Sequence, residues 1–134
     1  MYRYSVRYSK AMPALSEYKD MPLWQRSMRL AADISQLSLQ LPINKLAAGT
    51  QLQEAALAIP VSLARGSQAG RKAFMAAVIS SRQTAAEIET LLILMQNLYN
   101  DKAFQTLLDQ TAELQAALEA MARRLVDNRP AQDI

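Results

Sequence analysis

The sequence predicts an all-α protein folded as an up-down-up-down antiparallel four-helix bundle. Three observations predict it. Apolar residues recur at three- and four-residue steps through four separate stretches, the period of a helix with one buried face. Alanine and leucine dominate a chain that is 51% hydrophobic and holds only three glycines, a composition that favours helices over sheets. The links between the four stretches are short, which makes consecutive helices antiparallel neighbours. At 134 residues the chain is long enough for a core that removes about two thirds of the unfolded surface from water.

The first twenty residues differ from the rest and are read as an N-terminal arm. They hold Tyr2, Tyr4, Tyr8 and Tyr18. Over Tyr2–Ser9 the apolar side alternates with Arg3, Ser5, Arg7 and Ser9, which is the period of an extended strand. Three roles stay open for this tyrosine-rich arm. It is a surface-packed segment, or it lays its tyrosines on a neighbouring subunit, or it stacks bases on tyrosine with Arg3 and Arg7 near phosphates.

The bundle is expected over residues 21–127. Helix one is predicted from Pro22, which suits a first helical turn, to Gln40. Its inward stripe is Leu23, Ser27, Leu30, Ile34, Leu37 and Leu41, with Trp24 as a core or interface anchor. Pro42 ends it. Helix two is predicted over Thr50–Arg65, with Thr50 and Gln53 as a reciprocal cap. Pro60 lies inside its pattern. Proline cannot bond to the carbonyl of Ala56, at an isolated cost of ~3 kcal/mol, so a bend is expected there. Gly66 and Gly70 then predict a left-handed C′ residue and a tight reversal.

Helix three is predicted over Arg71–Tyr99, ~40 Å at 1.5 Å per residue. Phe74, Ala77, Val78, Ser81, Ala85, Ile88, Leu92 and Met95 form its stripe. Leu91, Ile93, Leu94 and Leu98 make its last third apolar nearly all round, more than a solvated bundle helix needs. That surplus predicts a subunit contact. Asn100-Asp101 is a turn and cap signal. Helix four follows over Lys102–Val126, and residues 128–134, with Pro130, form a flexible tail.

The composition excludes much chemistry. There is no cysteine and no histidine, so thiol nucleophiles, imidazole bases and His/Cys metal sites are ruled out. No metal, cofactor or catalytic residue is assigned. Glu87 and Glu89 point to different helix faces, and Asp109 and Glu113 share a face that reads as solvated. The chain is therefore expected not to be an enzyme. The N-terminus lacks the apolar run of a signal peptide, and no stretch is long enough to cross a bilayer. A cytoplasmic protein without a membrane partner is expected.

Antiparallel topology also sorts the charges. It predicts one basic pole at the start of helix one, the turn between helices two and three, and the end of helix four. Arg26, Arg29, Arg65, Arg71, Lys72, Arg123 and Arg124, with Arg129, are assigned to it as candidate nucleic-acid contacts. Lys45, Lys102, Glu87, Glu89 and Asp101 are assigned to the opposite end. A cationic pole attracts phosphate by releasing its counterions. The bland alternative is a pair of solvated bundle ends, with cations favoured by the C-terminal helix dipoles.

Several of these residues carry a resemblance. Trp24-Gln25, Leu41-Pro42, Gln51-Leu52, Ala55-Ala56, Ala58-Ile59-Pro60, Leu63-Ala64, Gly66, Ala73-Phe74 and Glu87-Ile88-Glu89-Thr90-Leu91 are spaced as in a bacterial four-helix-bundle family. Some of its members are encoded in intervening sequences of large-subunit ribosomal RNA genes. Accessory subunits of diversity-generating retroelements are related. The similarity runs from about Leu23 to Leu125. It departs from the family pattern at Gln53-Glu54, where the family has a basic pair, at Ser62, where it has Asn, and at Arg65, where it has Glu. The resemblance implies a ring oligomer, most simply a homopentamer. Two functional expectations follow, the first from the basic pole and the second from the related retroelement accessory subunits. One is a nucleic-acid-binding adaptor for structured RNA or an RNA–protein complex. The other is a protein-binding scaffold or accessory subunit without direct nucleic-acid contact.

Overall fold

The structure is a computed structural model that describes residues 17–127. The expectations for the arm before Glu17, for Arg129 and for the tail lie outside the described residues. Four α-helices carry the fold: α1 (Pro22–Leu37), α2 (Ala47–Ser67), α3 (Arg71–Tyr99) and α4 (Ala103–Asp127). Two short 3-10 turns, Tyr18–Asp20 and Ile43–Lys45, precede α1 and α2. Among the described residues there is no strand.

Pairs across the helices fix their directions. Gln51 donates to Glu87 at 2.9 Å, while Gly66 lies against Ala77, so α2 and α3 run opposite ways. Arg71 reaches the backbone of Leu125 and Gln96 reaches Gln105, which sets α4 antiparallel to α3. Arg26 meets Glu113 and Asp33 meets Gln110, which sets α1 antiparallel to α4. Each helix packs on its sequence neighbours, and α1 closes on α4.

The core follows the predicted stripes. Ile34, Leu52, Ile59, Leu63, Phe74, Ile88, Leu92, Met95, Phe104, Leu114 and Leu118 are fully buried. Trp24 is buried and meets Tyr18 edge-on, with ring centroids 5.4 Å apart. Four hydroxyl residues are buried among the described residues: Ser27 bonds the carbonyl of Trp24, Ser67 that of Ala64 and Thr111 that of Leu107, while Ser81 is unpartnered there. At the far end Tyr99 stacks beside Phe104 and donates to the carbonyl of Pro42 at 3.0 Å. That bond ties the link between α1 and α2 to the end of α3.

The helix ends correct several expectations. α1 stops at Leu37, not Gln40. Its last turn passes into a tight turn closed by bonds from Leu39 to Gln36 and from Gln40 and Leu41 to Leu37. α2 begins at Ala47, three residues before Thr50, and its cap residue is Leu46 with no side-chain bond. α2 stays helical through buried Pro60 and past Gly66 as far as Ser67. The positive φ falls on Gly70 alone of the pair, at 99°, directly before α3. Gly66 serves packing instead. A Cβ there would stand 2.7 Å from the Cβ of Ala77 and 3.0 Å from the carbonyl oxygen of Ala73. At α4, Asn100 is left-handed at φ 52°, and the Asp101 carboxylate accepts from the N–H of Ala103 at 2.8 Å.

Candidate nucleic-acid interface

The pole where α2 ends, α3 begins and α4 ends is where the structure concentrates free cations. Arg65 is exposed in the last turn of α2, and Lys72 is exposed in the first turn of α3. Arg123 and Arg124 are exposed near the end of α4. Arg71 is half-buried because its guanidinium donates to the carbonyl of Leu125. That carbonyl belongs to the last turn of α4, which has no helical N–H left to receive. The bond joins the start of α3 to the end of α4 and holds one cation in place. Among the described residues, Arg65, Arg71, Lys72 and Arg124 make no ion pair, and Arg123 makes one, to Glu119 at 3.6 Å.

Two predicted members stand apart. Arg26 and Arg29 lie on α1, and α1 is much shorter than its neighbours. Arg26 pairs with Glu113 at 3.4 Å, which places it ten residues, or ~15 Å, along α4 from Arg123. Arg29 is one turn further from the pole. The expectation that seven cations gather at one end assumed helices of equal length, and α1 has 16 residues against 29 in α3. Glu87 and Glu89 are likewise not at the opposite end. They face Gln51 and Gln115 midway along the bundle.

The structure adds a cation that the sequence reading passed over. Arg82 is exposed on α3, three turns after Arg71 on the same face. A repeat of eleven residues returns a helix to almost the same direction, and that spacing was the available signal. Arg82 borders a groove of about 640 Å³ between α3 and α4. Ile79, Arg82 and Gln83 line one wall, and Ala112, Gln115, Ala116 and Glu119 line the other. The small alanines let the groove form.

The patch is local. Four of the fifteen cations, Arg3, Arg7, Lys10 and Arg129, and one of the twelve anions, Asp133, lie outside residues 17–127. Eleven of each remain inside, so the basic pole reflects arrangement and not net charge. A second surface is apolar. Ile93, Leu94 and Leu98 on α3 are 46%, 43% and 57% exposed, although Leu91 beside them is buried. Leu39, in the turn after α1, is also exposed.

The family described as 23S rRNA-intervening sequence protein matches residues 19–120. The chain belongs to this family. The match spans all of α1, α2 and α3 and most of α4. The intervening-sequence family thus covers Arg65, Arg71, Lys72, Arg82 and Glu119, while Arg123 and Arg124 lie beyond the matched stretch. Comparison with curated proteins and with solved structures gives no match. No helix of the described residues is long and apolar enough to cross a membrane. Among them no group of acidic side chains could hold a metal ion.

Proposed function

We propose that this protein is a non-enzymatic, oligomeric four-helix-bundle adaptor of the cytoplasm that binds nucleic acid, structured RNA or an RNA–protein complex, through its basic pole. One observation carries the reading: Arg65, Arg71, Lys72, Arg123 and Arg124 converge from three helix ends with a single carboxylate partner among the described residues. The family description, which names 23S rRNA, supports the same direction. Phosphate would meet the fixed guanidinium of Arg71 and the exposed cations around it, and counterion release would drive binding. Arg26 and Arg29 extend the patch along the side of the bundle and do not belong to its centre.

Filter binding of an RNA hairpin across a salt series tests this. Affinity is expected to fall steeply as salt rises, with a slope set by the number of phosphates neutralised. A flat response, or no binding at low salt, removes the reading.

A ring, most simply a homopentamer, is part of the proposal. The exposed Leu94 and Leu98, one turn apart on one face, with Ile93 beside Leu94, favour it, because association would cover that apolar surface. Light scattering is expected to give several subunits per particle. Leu98→Asp is expected to lower that number, and a monomeric wild-type chain overturns the ring. The same apolar surface favours the second reading, a protein-binding scaffold or accessory subunit. A partner captured equally well after nuclease treatment would select it.

A further inference from the structure

We infer that the groove between α3 and α4 seats one unpaired base of a bound strand, with guanine preferred. The inference rests on the nucleic-acid reading above and goes beyond charge-driven binding. The groove lies along the side of the bundle, with Arg82 on its α3 wall ~15 Å from Arg71 and Arg123 of the basic pole paired to its Glu119. Its lining combines apolar surface, Ile79 with Ala112 and Ala116, and three side chains with flat hydrogen-bonding ends: Gln83, Gln115 and Glu119. A flat base offers an apolar face and a polar edge, and single strands are read by exactly that division of contacts.

The donor and acceptor sets point to guanine. A carboxylate accepts hydrogen bonds only, and Glu119 is the anion in the groove. Guanine presents adjacent N–H donors on its pairing edge and acceptors at O6 and N7 on the other. The first suit Glu119. The second suit Arg82 or the amide of Gln83. Gln115 donates to Glu89 at a long 3.4 Å, which leaves its carbonyl oxygen able to accept. A phosphate beside such a base would fall near Arg82, and the strand could run on toward the cations around Arg71 and Lys72, ~15 Å along α3. No single segment of the sequence shows this set, because two helices contribute to it.

Fluorescence anisotropy at low salt tests the inference with three probes: a twelve-residue oligouridylate, the same strand with one central guanine, and an RNA duplex of equal length. The wild-type chain is expected to prefer the guanine strand over oligouridylate by roughly tenfold. Ala116→Leu fills the groove from an exposed position without changing charge. It should abolish the preference and leave duplex binding unchanged. Glu119→Gln separates base contact from electrostatics by sign. Removing a negative charge tightens binding of every strand if charge alone acts, whereas loss of the guanine contact erases the difference between strands. Circular dichroism and melting confirm that each variant is folded. Equal affinity for both strands in the wild type, or a guanine preference that survives both substitutions, overturns the inference and leaves the polyanion reading standing. Failure to bind any of the three probes removes both.

Discussion

Replacing Gly66 by alanine sets two forces against each other, and the packing of α2 on α3 decides between them. Inside an exposed helix alanine is better than glycine by ~1 kcal/mol. Gly66 is not exposed. Its added Cβ would meet the Cβ of Ala77 at 2.7 Å, the carbonyl oxygen of Ala73 at 3.0 Å and the Cα of Phe74 at 3.2 Å. Carbon atoms in contact sit ~3.5–4.0 Å apart, so the nearest approach is short by roughly 1 Å. None of the three obstacles can rotate away: two are backbone and the third is the stub of an alanine. The helices must part, and they must do so only two residues from the turn that joins them. Overpacking of this kind costs ~1–3 kcal/mol. With rigid neighbours the upper end applies, and subtracting the helical gain leaves ~2 kcal/mol of net loss. For a chain of this length that lowers Tm by ~8 °C. Urea and thermal unfolding at fixed protein concentration measure it. Ala77→Gly alone should also destabilise. Combined with Gly66→Ala it should recover most of the loss, because it removes the closest atom. A Gly66→Ala variant as stable as the wild type, or a pair of changes whose effects simply add, would refute the close crossing.

Further outcomes follow from other sites. Leu92 is fully buried on α3, so Leu92→Ala should cost ~2–5 kcal/mol, read as a lower midpoint in urea. Gly70 has open space around it but a φ of 99°, so Gly70→Ala should cost ~1–3 kcal/mol through backbone strain alone. No second substitution nearby should rescue it, in contrast to Gly66. Arg71→Gln should lower stability by ~0.5–1.5 kcal/mol through loss of its bond to the Leu125 carbonyl. It should also reduce the salt slope of RNA binding by about one. A change in stability with an unaltered slope would confine Arg71 to a structural role.

Much of the fold was legible because apolar spacing and helix length agree. Arg71 and Tyr99 were both expected as the limits of α3, and both are observed. The errors lie where periodicity outlasts hydrogen bonding. Leu41 continues the stripe of α1 and is partly buried, yet the helix has already turned at Ser38. α2 starts early because Ala47, Ala48 and Gly49 join it with no side-chain cap to announce them. The two glycines were expected to act together. One relieves a crowded crossing and the other supplies an unusual backbone angle, a division that depends on where α3 runs. The same limit governs the site. Cations at helix ends can be counted in a sequence, but the height of each helix cannot, and the short α1 leaves Arg26 and Arg29 behind. Arg82 and the groove became visible only when α3 and α4 were set side by side.

The stagger of α1 also sets how firmly each end of the molecule is held. From Glu113, the partner of Arg26, α4 runs on for fourteen residues, whereas α1 runs back from Arg26 for only four, to Pro22. Over the last ~15 Å toward the cationic end the described helices are three, not four. Before Pro22 the described chain offers only the Tyr18–Asp20 turn, which packs on α1 and α2. Amide protons in the closing turns of α2 and α4 should therefore exchange with deuterated solvent faster than those around Leu92 and Leu114, and contact with a polyanion should slow them selectively.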